Sequence, residues 1–229
     1  MPKIKFIILD FDGVINDLTA AKVKSIKEIF RKLRIKVNRQ LIFNMLVYIE
    51  QIYENKKIFD YRKILRLVFK KLTKYKLIDI KKKQKEFFIM NFTRYLNKNT
   101  SINKNLIREV EKLKKNYGLI ICLYTSQKPT SLREIFKNFK IKKNLFDKIY
   151  TQKDFEEPKP SIKNLIQICQ QIKKSPKNGL IIGDNISTDL MPAKFLGMKT
   201  ILYSKLINYC VTSSSSKSSK LQEIFQKFD

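Results

Sequence analysis

The stretch IKFIILDFDG, residues 4–13, is the part of this 229-residue chain around which the rest is organised. Its apolar run Phe6–Leu9 has the length and composition of a strand that is buried on both faces, as in parallel sheets. Two carboxylates follow at once, and a buried strand cannot keep unpaired carboxylates in its core. We therefore expect Asp10 and Asp12 just beyond the carboxyl end of the strand, where open parallel sheets bind ligands.

Two carboxylates separated by one residue suit a hard cation together with one reacting group. Mg²⁺ prefers carboxylate oxygens and keeps coordination sites for phosphate oxygens. One carboxylate can then act as a nucleophile while the other transfers protons. An Asp-x-Asp pair also occurs in ordinary turns with solvated carboxylates, so the rest of the chain has to distinguish the two interpretations.

Composition limits the kinds of partner. Lys and Arg number 49 against 20 Asp and Glu, and the formal net charge is +29. This balance favours anionic partners, namely nucleic acid, anionic membrane surfaces or phosphorylated metabolites. The lysines are spread through nearly every segment, which indicates a general composition bias, so nucleic acid is an alternative partner that we do not favour. The chain has no His, which excludes His-based catalysis and His-ligated metal.

The cysteines and the apolar runs bear on the cellular compartment. Cys122, Cys169 and Cys210 are far apart, so neither a zinc cluster nor a disulfide framework is expected. No apolar stretch approaches the ~18 residues of a membrane span, and the chain starts with a predicted strand and not a signal peptide. We expect a soluble, cytoplasmic protein with no membrane partner.

The pattern of apolar residues divides the chain into two kinds of structure. Residues 17–98 contain neither Gly nor Pro and show helical spacing in four successive segments, which predicts an all-helical block. From residue 100 onward strand and helix patterns alternate, as is typical of a parallel α/β sheet. We predict a Rossmann-like α/β core with helices on both faces, formed by residues 1–15 and 100–229, and a helical domain at 16–99 inserted after the first strand.

The elements predicted after residue 100 follow the same logic of apolar runs and breaking residues. They are a helix ended by Gly118, strands at Leu119–Tyr124, Phe146–Tyr150, Gly179–Gly183 and Thr200–Tyr203, and helices at Pro129–Phe139, 162–172 and Ser187–Leu196. We also predict an edge strand at Tyr209–Val211, a serine-rich loop at Thr212–Ser219, and a last helix carrying Leu221 and Phe228.

Polar groups follow the predicted core strands or lie in adjacent loops. After the second strand come Thr125 and Ser126, then Lys159 in a proline-rich loop, then Asp184 and Asp189. Each has an ordinary interpretation as a cap, a turn or one lysine among many. Because the carboxyl ends of parallel strands share one edge of a sheet, these groups and the Asp-x-Asp pair together predict a single site.

Four motifs occur in a characteristic order: DFDGVI, LYTS, PKPS, and GDNISTDL followed by AKFLGM. With them, over residues 4–203, the chain resembles the haloacid dehalogenase superfamily. It is most similar to the phosphatase branch with a type-one helical cap, which is phosphoglycolate phosphatase-like. The position of the helical insert matches that cap.

The resemblance implies roles for the two carboxylates of the first motif and for the metal. Asp10 would be the nucleophile that forms an aspartyl-phosphate, and Asp12 would protonate the leaving oxygen and then activate water. Mg²⁺ would be held by Asp10, the backbone carbonyl of Asp12 and Asp184, with Asp189 bound directly or through another ligand.

The resemblance also implies the groups that bind the substrate phosphate. Thr125 and Lys159 would stabilise the transferring phosphoryl oxygens. Ser126 and Gly13 would donate backbone N–H groups.

The function implied is a Mg²⁺-dependent phosphatase acting on a small phosphorylated metabolite. Asp12 argues against a dehalogenase, because the dehalogenases of this superfamily lack the second aspartate. A sugar-phosphate mutase shares all four motifs, and a phosphonate-cleaving enzyme with a cap lysine is less expected. From another class, the net charge alone supports a nucleic-acid-binding protein or a phosphatase acting on nucleic-acid ends. The sequence carries no signal for the oligomeric state or the identity of the substrate.

Overall fold

The computed structural model of the protein describes residues 3–56 and 60–203. The edge strand, serine-rich loop and last helix predicted beyond residue 203 lie outside the described residues, as does Cys210. The chain divides into two compact units, one comprising Met1–Asp17 and Ile102–Asp229, the other Leu18–Ser101. Among the helices of the described ranges, none is long and apolar enough to cross a membrane.

Within the part of the chain that the structure describes, the first unit is built on a sheet of five strands that all run parallel. In chain order the strands are β1 Phe6–Leu9, β2 Ile120–Tyr124, β3 Lys148–Tyr150, β4 Gly179–Gly183 and β5 Lys199–Leu202. Their order across the sheet is β3-β2-β1-β4-β5. The central strand is β1, with Leu9 paired to Leu123 of β2 and to Ile182 of β4. The residues that follow β1, β2 and β4 therefore emerge side by side.

The described ranges 3–56 and 60–203 contain eight helices. In chain order they are α1 Leu18–Lys32, α2 Arg39–Lys56, α3 Tyr61–Lys74, α4 Lys82–Asn99, α5 Lys104–Tyr117, α6 Pro129–Phe139, α7 Ile162–Gln171 and α8 Met191–Phe195. Helices α1–α4 fall in the second unit and α5–α8 in the first.

Both faces of the sheet are covered. Ile7 and Leu9 of β1 belong to one apolar cluster with residues of α5 and α6, whereas Phe6 and Ile8 belong to another with residues of α7 and α8. Successive side chains of a strand point to opposite faces, so a strand covered on both sides has to be apolar at every position. This confirms the predicted α/β class with helices on both faces and an all-helical insert after the first strand.

The helical unit has its own aromatic interior. Phe30 of α1, Phe69 of α3, and Phe88 and Phe92 of α4 are all fully buried. The ring of Phe88 lies 4.8 Å from that of Phe30, 5.2 Å from that of Phe69 and 5.8 Å from that of Phe92, measured between centroids. The aromatic residues at helical spacing therefore form a core and not a surface for stacking bases.

Two predicted elements differ from the structure in type or by more than one residue at an end. The third strand begins at Lys148 and not at Phe146, because the N–H of Phe146 donates to the carbonyl of Lys143 and closes a turn. The helix predicted to begin at Ser187 is instead a π-type turn, Ile186–Leu190, followed by α8.

The physical reason for the π-type turn lies in hydrogen bonds at its first end and a proline beyond its last. The backbone carbonyl of Asn185 accepts from the N–H groups of both Asp189 (3.1 Å) and Leu190 (3.4 Å), which widens the first turn. Pro192 has no N–H with which to continue a regular ladder. Such widened turns occur frequently at functional sites, and this one carries Asp189.

Candidate active site

Three carboxylates meet at the carboxyl ends of the neighbouring strands β1 and β4. Asp10 follows β1, Asp184 follows β4, and Asp189 lies in the π-type turn. One carboxylate oxygen from each of the three lies within 4.8 Å of the others. Carboxylates this close repel each other, so their ionised forms need a cation among them.

Lys159 supplies one positive charge to this group. Its Nζ donates to Asp10 Oδ1 at 2.7 Å and to Asp189 Oδ1 at 3.0 Å, and its side chain is only 7% exposed. The ammonium also lies 4.2 Å from the centre of the Tyr124 ring, a cation–π contact. When ionised, the three carboxylates beside one ammonium leave a local charge of 1 − 3 = −2, which a divalent cation would balance.

The pKa values of the buried pair reflect this imbalance. Burial raises the pKa of Asp10 well above its usual range; Lys159 opposes the shift, while Asp189, Asp184 and Asp12 add to it. For Lys159, burial works to lower the pKa, but Asp10 and Asp189 outweigh it and the pKa lies above its ordinary value. The lysine therefore stays charged, and the carboxylates remain short of positive charge.

Two glycines make room for the carboxylates. A Cβ atom on Gly13, whose φ is +81°, would lie 1.7 Å from Asp184 Oδ2, and one on Gly183 would lie 2.5 Å from Asp189 Cβ. The backbone N–H of Gly13 donates to the carbonyl of Asn16 at 2.8 Å. In this structure Gly13 therefore contributes space and a turn, and its N–H is engaged within the turn.

The carboxylate of Asp12 is held separately from the three-carboxylate group. Its Oδ1 accepts from Asn16 Nδ2 at 2.8 Å and its Oδ2 from Gln127 Nε2 at 2.7 Å. A carboxylate engaged by two neutral amides can exchange protons without being part of a cation site.

The loop after β2 brings the remaining predicted residues to this edge. Thr125 is buried; its N–H donates to the carbonyl of Tyr150 at 3.0 Å, and its Oγ1 accepts from the N–H of Gln127 at 3.1 Å. The hydroxyl proton of Thr125 can be donated to a ligand. Ser126 is exposed at the same loop.

Sequence reasoning did not single out the side chains that contact Lys159 and Asp12. Tyr124 lies against Lys159, while Asn16 and Gln127 bind Asp12. Tyr124 lies within the LYTS motif, whereas the one signal for the other two is proximity to the motifs, since Gln127 follows Thr125 by two positions and Asn16 follows Asp12 by four. Proximity alone does not say which polar side chain turns inward.

Comparison with known proteins identifies the family of this fold and site. A family model described as haloacid dehalogenase-like hydrolase matches residues 7–203 of the chain. No curated protein matches the sequence. The family match confirms the superfamily resemblance of the motifs.

Several solved structures share the fold. A predicted phosphoglycolate phosphatase from Haemophilus somnus 129PT is 19% identical, with a TM-score of 0.57 over 88% of this chain and 86% of its own. A putative HAD-hydrolase from Bacillus subtilis, bound to magnesium, is 15% identical, with a TM-score of 0.68 over 99% of both chains. A hydrolase from Streptococcus pneumoniae TIGR4 is 16% identical, with a TM-score of 0.63 over 90% of this chain and 96% of its own.

Proposed function

Because the chain belongs to the haloacid dehalogenase-like hydrolase family, we propose that it is a Mg²⁺-dependent phosphatase acting on a small phosphorylated metabolite. The observation that carries the proposal is the group formed by Asp10, Asp184 and Asp189 around Lys159 at the carboxyl edge of the sheet. It combines a candidate nucleophile, a local charge suited to a divalent cation, and a cation for phosphoryl oxygens.

The residues present fit a magnesium ion. All three carboxylates offer hard oxygen ligands within 4.8 Å of one another, and Mg²⁺ is bound through one or two carboxylates plus substrate phosphate oxygens. We propose Asp10, Asp184 and the backbone carbonyl of Asp12 as its ligands, with Asp189 binding directly or through another ligand. When bound, the ion would offset the negative charge that otherwise keeps a phosphate away from a carboxylate.

In the first proposed step Asp10 attacks the phosphorus atom. An Asp10 carboxylate oxygen forms a bond to phosphorus, and the bond from phosphorus to the leaving oxygen breaks with its electron pair on that oxygen. Asp12 gives a proton to the same oxygen, which would otherwise leave as an unstable alkoxide. Lys159 and the Thr125 hydroxyl would stabilise the charge that spreads over the phosphoryl oxygens. The backbone N–H of Ser126 would donate to one of these oxygens.

In the second step the aspartyl-phosphate is hydrolysed. A water oxygen bonds to phosphorus while Asp12, now ionised, accepts one of its protons, and the bond between Asp10 and phosphorus breaks. Inorganic phosphate leaves, and both carboxyl groups return to their starting states. The two aspartates thus perform nucleophilic and proton-transfer roles that need no histidine.

We propose that the helical unit Leu18–Ser101 selects the substrate, as the inserted cap does in the proteins that the motifs resemble. One observation on this unit favours the alternative, a phosphatase acting on nucleic-acid ends. Residues 61–86 carry 11 Lys and Arg against two acidic residues, 11 − 2 = +9. Basic side chains of α3 and α4 line a groove of about 540 Å³, namely Arg66, Lys70, Lys74 and Lys85.

A panel of phosphate esters tests the proposal and the alternative together. With Mg²⁺ present, we expect the protein to release inorganic phosphate from p-nitrophenyl phosphate and faster from one small metabolite ester, such as a phosphorylated carboxylic acid or sugar. Faster release from phosphorylated oligonucleotide ends than from every metabolite, persisting at physiological salt, would contradict the metabolite assignment. Isomerisation of a sugar phosphate without net phosphate release would indicate a mutase.

Gly13→Ala tests whether the space beside Asp184 matters, with Gly118→Ala as a matched control. Both glycines have positive φ, but a Cβ on Gly118 meets nothing within 4 Å, so both variants share a backbone strain of roughly 1–2 kcal/mol. We expect Gly13→Ala alone to lose on the order of 10²-fold in kcat/KM, because a small displacement of a reacting group can cost that much. Equal losses in two folded variants would show that the contact with Asp184 is unimportant.

A further inference from the structure

The carboxyl group of Asp12 is oriented by two amide side chains that come from distant parts of the chain. Asn16 follows Asp12 in the turn after β1, and Gln127 lies in the loop after β2, 115 positions away along the chain. Each donates to a different oxygen of the carboxylate, at 2.8 and 2.7 Å. Two donors on two oxygens fix the rotation of a carboxyl group as well as its position.

The first amide, that of Asn16, makes its side-chain hydrogen bond to Asp12. Asn16 is only 4% exposed, and its Oδ1 has no hydrogen-bond partner among the described residues. Its backbone is held at both ends, since its N–H donates to the carbonyl of Phe11 and its carbonyl accepts from the N–H of Gly13, both at 2.8 Å. A buried amide with one side-chain bond is oriented by that bond, and here the bond is to Asp12.

The second amide, that of Gln127, is held in place by the backbone of its own loop. The backbone N–H of Gln127 donates to Thr125 Oγ1 at 3.1 Å, and Thr125 is itself tied to β3 by its N–H bond to the Tyr150 carbonyl. The loop that would bind the transferring phosphoryl group therefore also places the amide that holds the proton donor. A positional link of this kind is what pre-organised proton transfer requires.

We propose that Gln127 and Asn16 are positioning residues that aim the Asp12 carboxyl at the leaving oxygen of the substrate. The inference rests on the proposed phosphatase function. In the step concerned, the proton of the Asp12 carboxyl moves to the leaving oxygen as that oxygen takes the electron pair of its bond to phosphorus. Without the amides Asp12 can rotate away, and proton transfer is slowed while Asp10, Lys159 and the cation site are unchanged.

A positioning role predicts that the loss of activity depends on the leaving group, which a merely structural role does not. The reason is that leaving groups differ in their need for a proton. An alkyl phosphate leaves as an alkoxide unless it is protonated, whereas p-nitrophenyl phosphate leaves as a stabilised phenolate. The parameter kcat/KM reports the first phosphoryl transfer and excludes the later hydrolysis of the intermediate. The ratio of kcat/KM for the two esters therefore isolates proton donation by Asp12.

The experiment compares the two esters in the wild type, Gln127→Met and Asn16→Ala, with Asp12→Asn as the reference for loss of the acid. Methionine keeps the length of the side chain and removes the donor. Positioned acid catalysis contributes roughly 10²–10⁴-fold to the rate. We therefore expect each positioning variant to lose more kcat/KM on the alkyl ester than on the aryl ester, by a further factor of about ten or more. Gln171→Met, a matched exposed change at the end of α7, should leave both values unchanged.

The possible outcomes separate the inference from the function on which it rests. If the wild type hydrolyses neither ester, the proposed function is wrong. If it hydrolyses both and the two positioning variants lose equally on the two esters, or lose nothing, the positioning role is wrong and the phosphatase stands. If only one of the two amide variants alters the ratio, then the other amide does not position Asp12, and the proposal for the pair is overturned.

Discussion

Asp10→Asn should abolish turnover, lowering kcat on the order of 10⁶-fold, the scale measured when the nucleophile is removed from another hydrolase that forms a covalent intermediate. Asparagine has nearly the same shape but a neutral amide that does not attack phosphorus. Phosphate monoester hydrolysis is among the slowest uncatalysed reactions, and enzymes accelerate it by up to ~10²¹-fold. Little background reaction therefore exists to hide the loss.

The measurement is phosphate release from p-nitrophenyl phosphate with saturating Mg²⁺, and mass spectrometry of the quenched enzyme for a phosphoryl group on residue 10. Retention of activity within about tenfold, a barrier change of ~1.4 kcal/mol, would mean that Asp10 is not the nucleophile. Asp154→Asn is a matched control, since Asp154 caps a turn with Thr151 and has no proposed role in catalysis.

The effect of Asp10→Asn on the stability of the metal-free protein can also be predicted in direction. Burial raises the pKa of Asp10 in the folded protein, so its contribution to stability is complete only below the unfolded value, about 3.9, and is lost as pH rises through the folded value. In EDTA at pH 7 the variant should therefore melt no lower than the wild type. The difference should vanish below about pH 4, and a variant that melts far below the wild type at pH 7 would show that Asp10 stabilises the metal-free fold.

Removal of divalent cations should have the second largest effect, a loss of roughly 10³-fold or more in kcat/KM. A bound cation contributes several kcal/mol of charge stabilisation in such reactions, and each 1.36 kcal/mol is a factor of ten in rate. The reason here is the charge of −2 that ionised Asp10, Asp184 and Asp189 leave beside Lys159. Activity is measured after EDTA treatment and again after Mg²⁺ is returned, which should restore it.

Thermal melting checks the same site without relying on activity. Mg²⁺ at a hundred times its Kd should stabilise the wild type by about 2.7 kcal/mol, or roughly 5–10 °C in Tm for a chain of this size. Asp184→Asn should remove most of that shift, whereas Asp79→Asn, an exposed change in the helical unit, should keep it. Full activity in EDTA, or activation by Zn²⁺ only, would contradict the magnesium assignment.

Much of the fold could be predicted because its signals are local. The apolar run before Asp10 and the alternation of strand and helix after residue 100 specify a parallel sheet, since only a strand covered on both faces is apolar throughout. The absence of Gly and Pro from residues 17–98 likewise predicted the helical insert. The predicted start of the third strand and the helix predicted to begin at Ser187 were wrong in detail. Backbone hydrogen bonds of Phe146 and Asn185 decide the structure at these two places.

In the candidate site too, some features could be predicted from the sequence and others could not. Strand ends in a parallel sheet share one edge, so sequence order was enough to predict that Asp10, Lys159, Asp184 and Asp189 belong to one site, and the structure places them together. Side-chain direction decides that the carboxylates of Asp10, Asp184 and Asp189 come together, whereas that of Asp12 is bonded to Asn16 and Gln127. The resemblance assigned Asp12 to proton transfer, but no pattern in the sequence indicated what would hold its carboxylate.

The sequence alone therefore contains the class of fold, the position of the insert and the residue types of the site. These depend on periodicity and on motifs a few residues long. Only the tertiary structure decides that Gln127 reaches Asp12 across 115 positions, that Lys159 lies between Asp10 and Asp189, and that Gly13 leaves room for Asp184. Such contacts join loops that are distant in sequence, and their geometry follows from the register of β1 with β2 and β4, which no local pattern encodes.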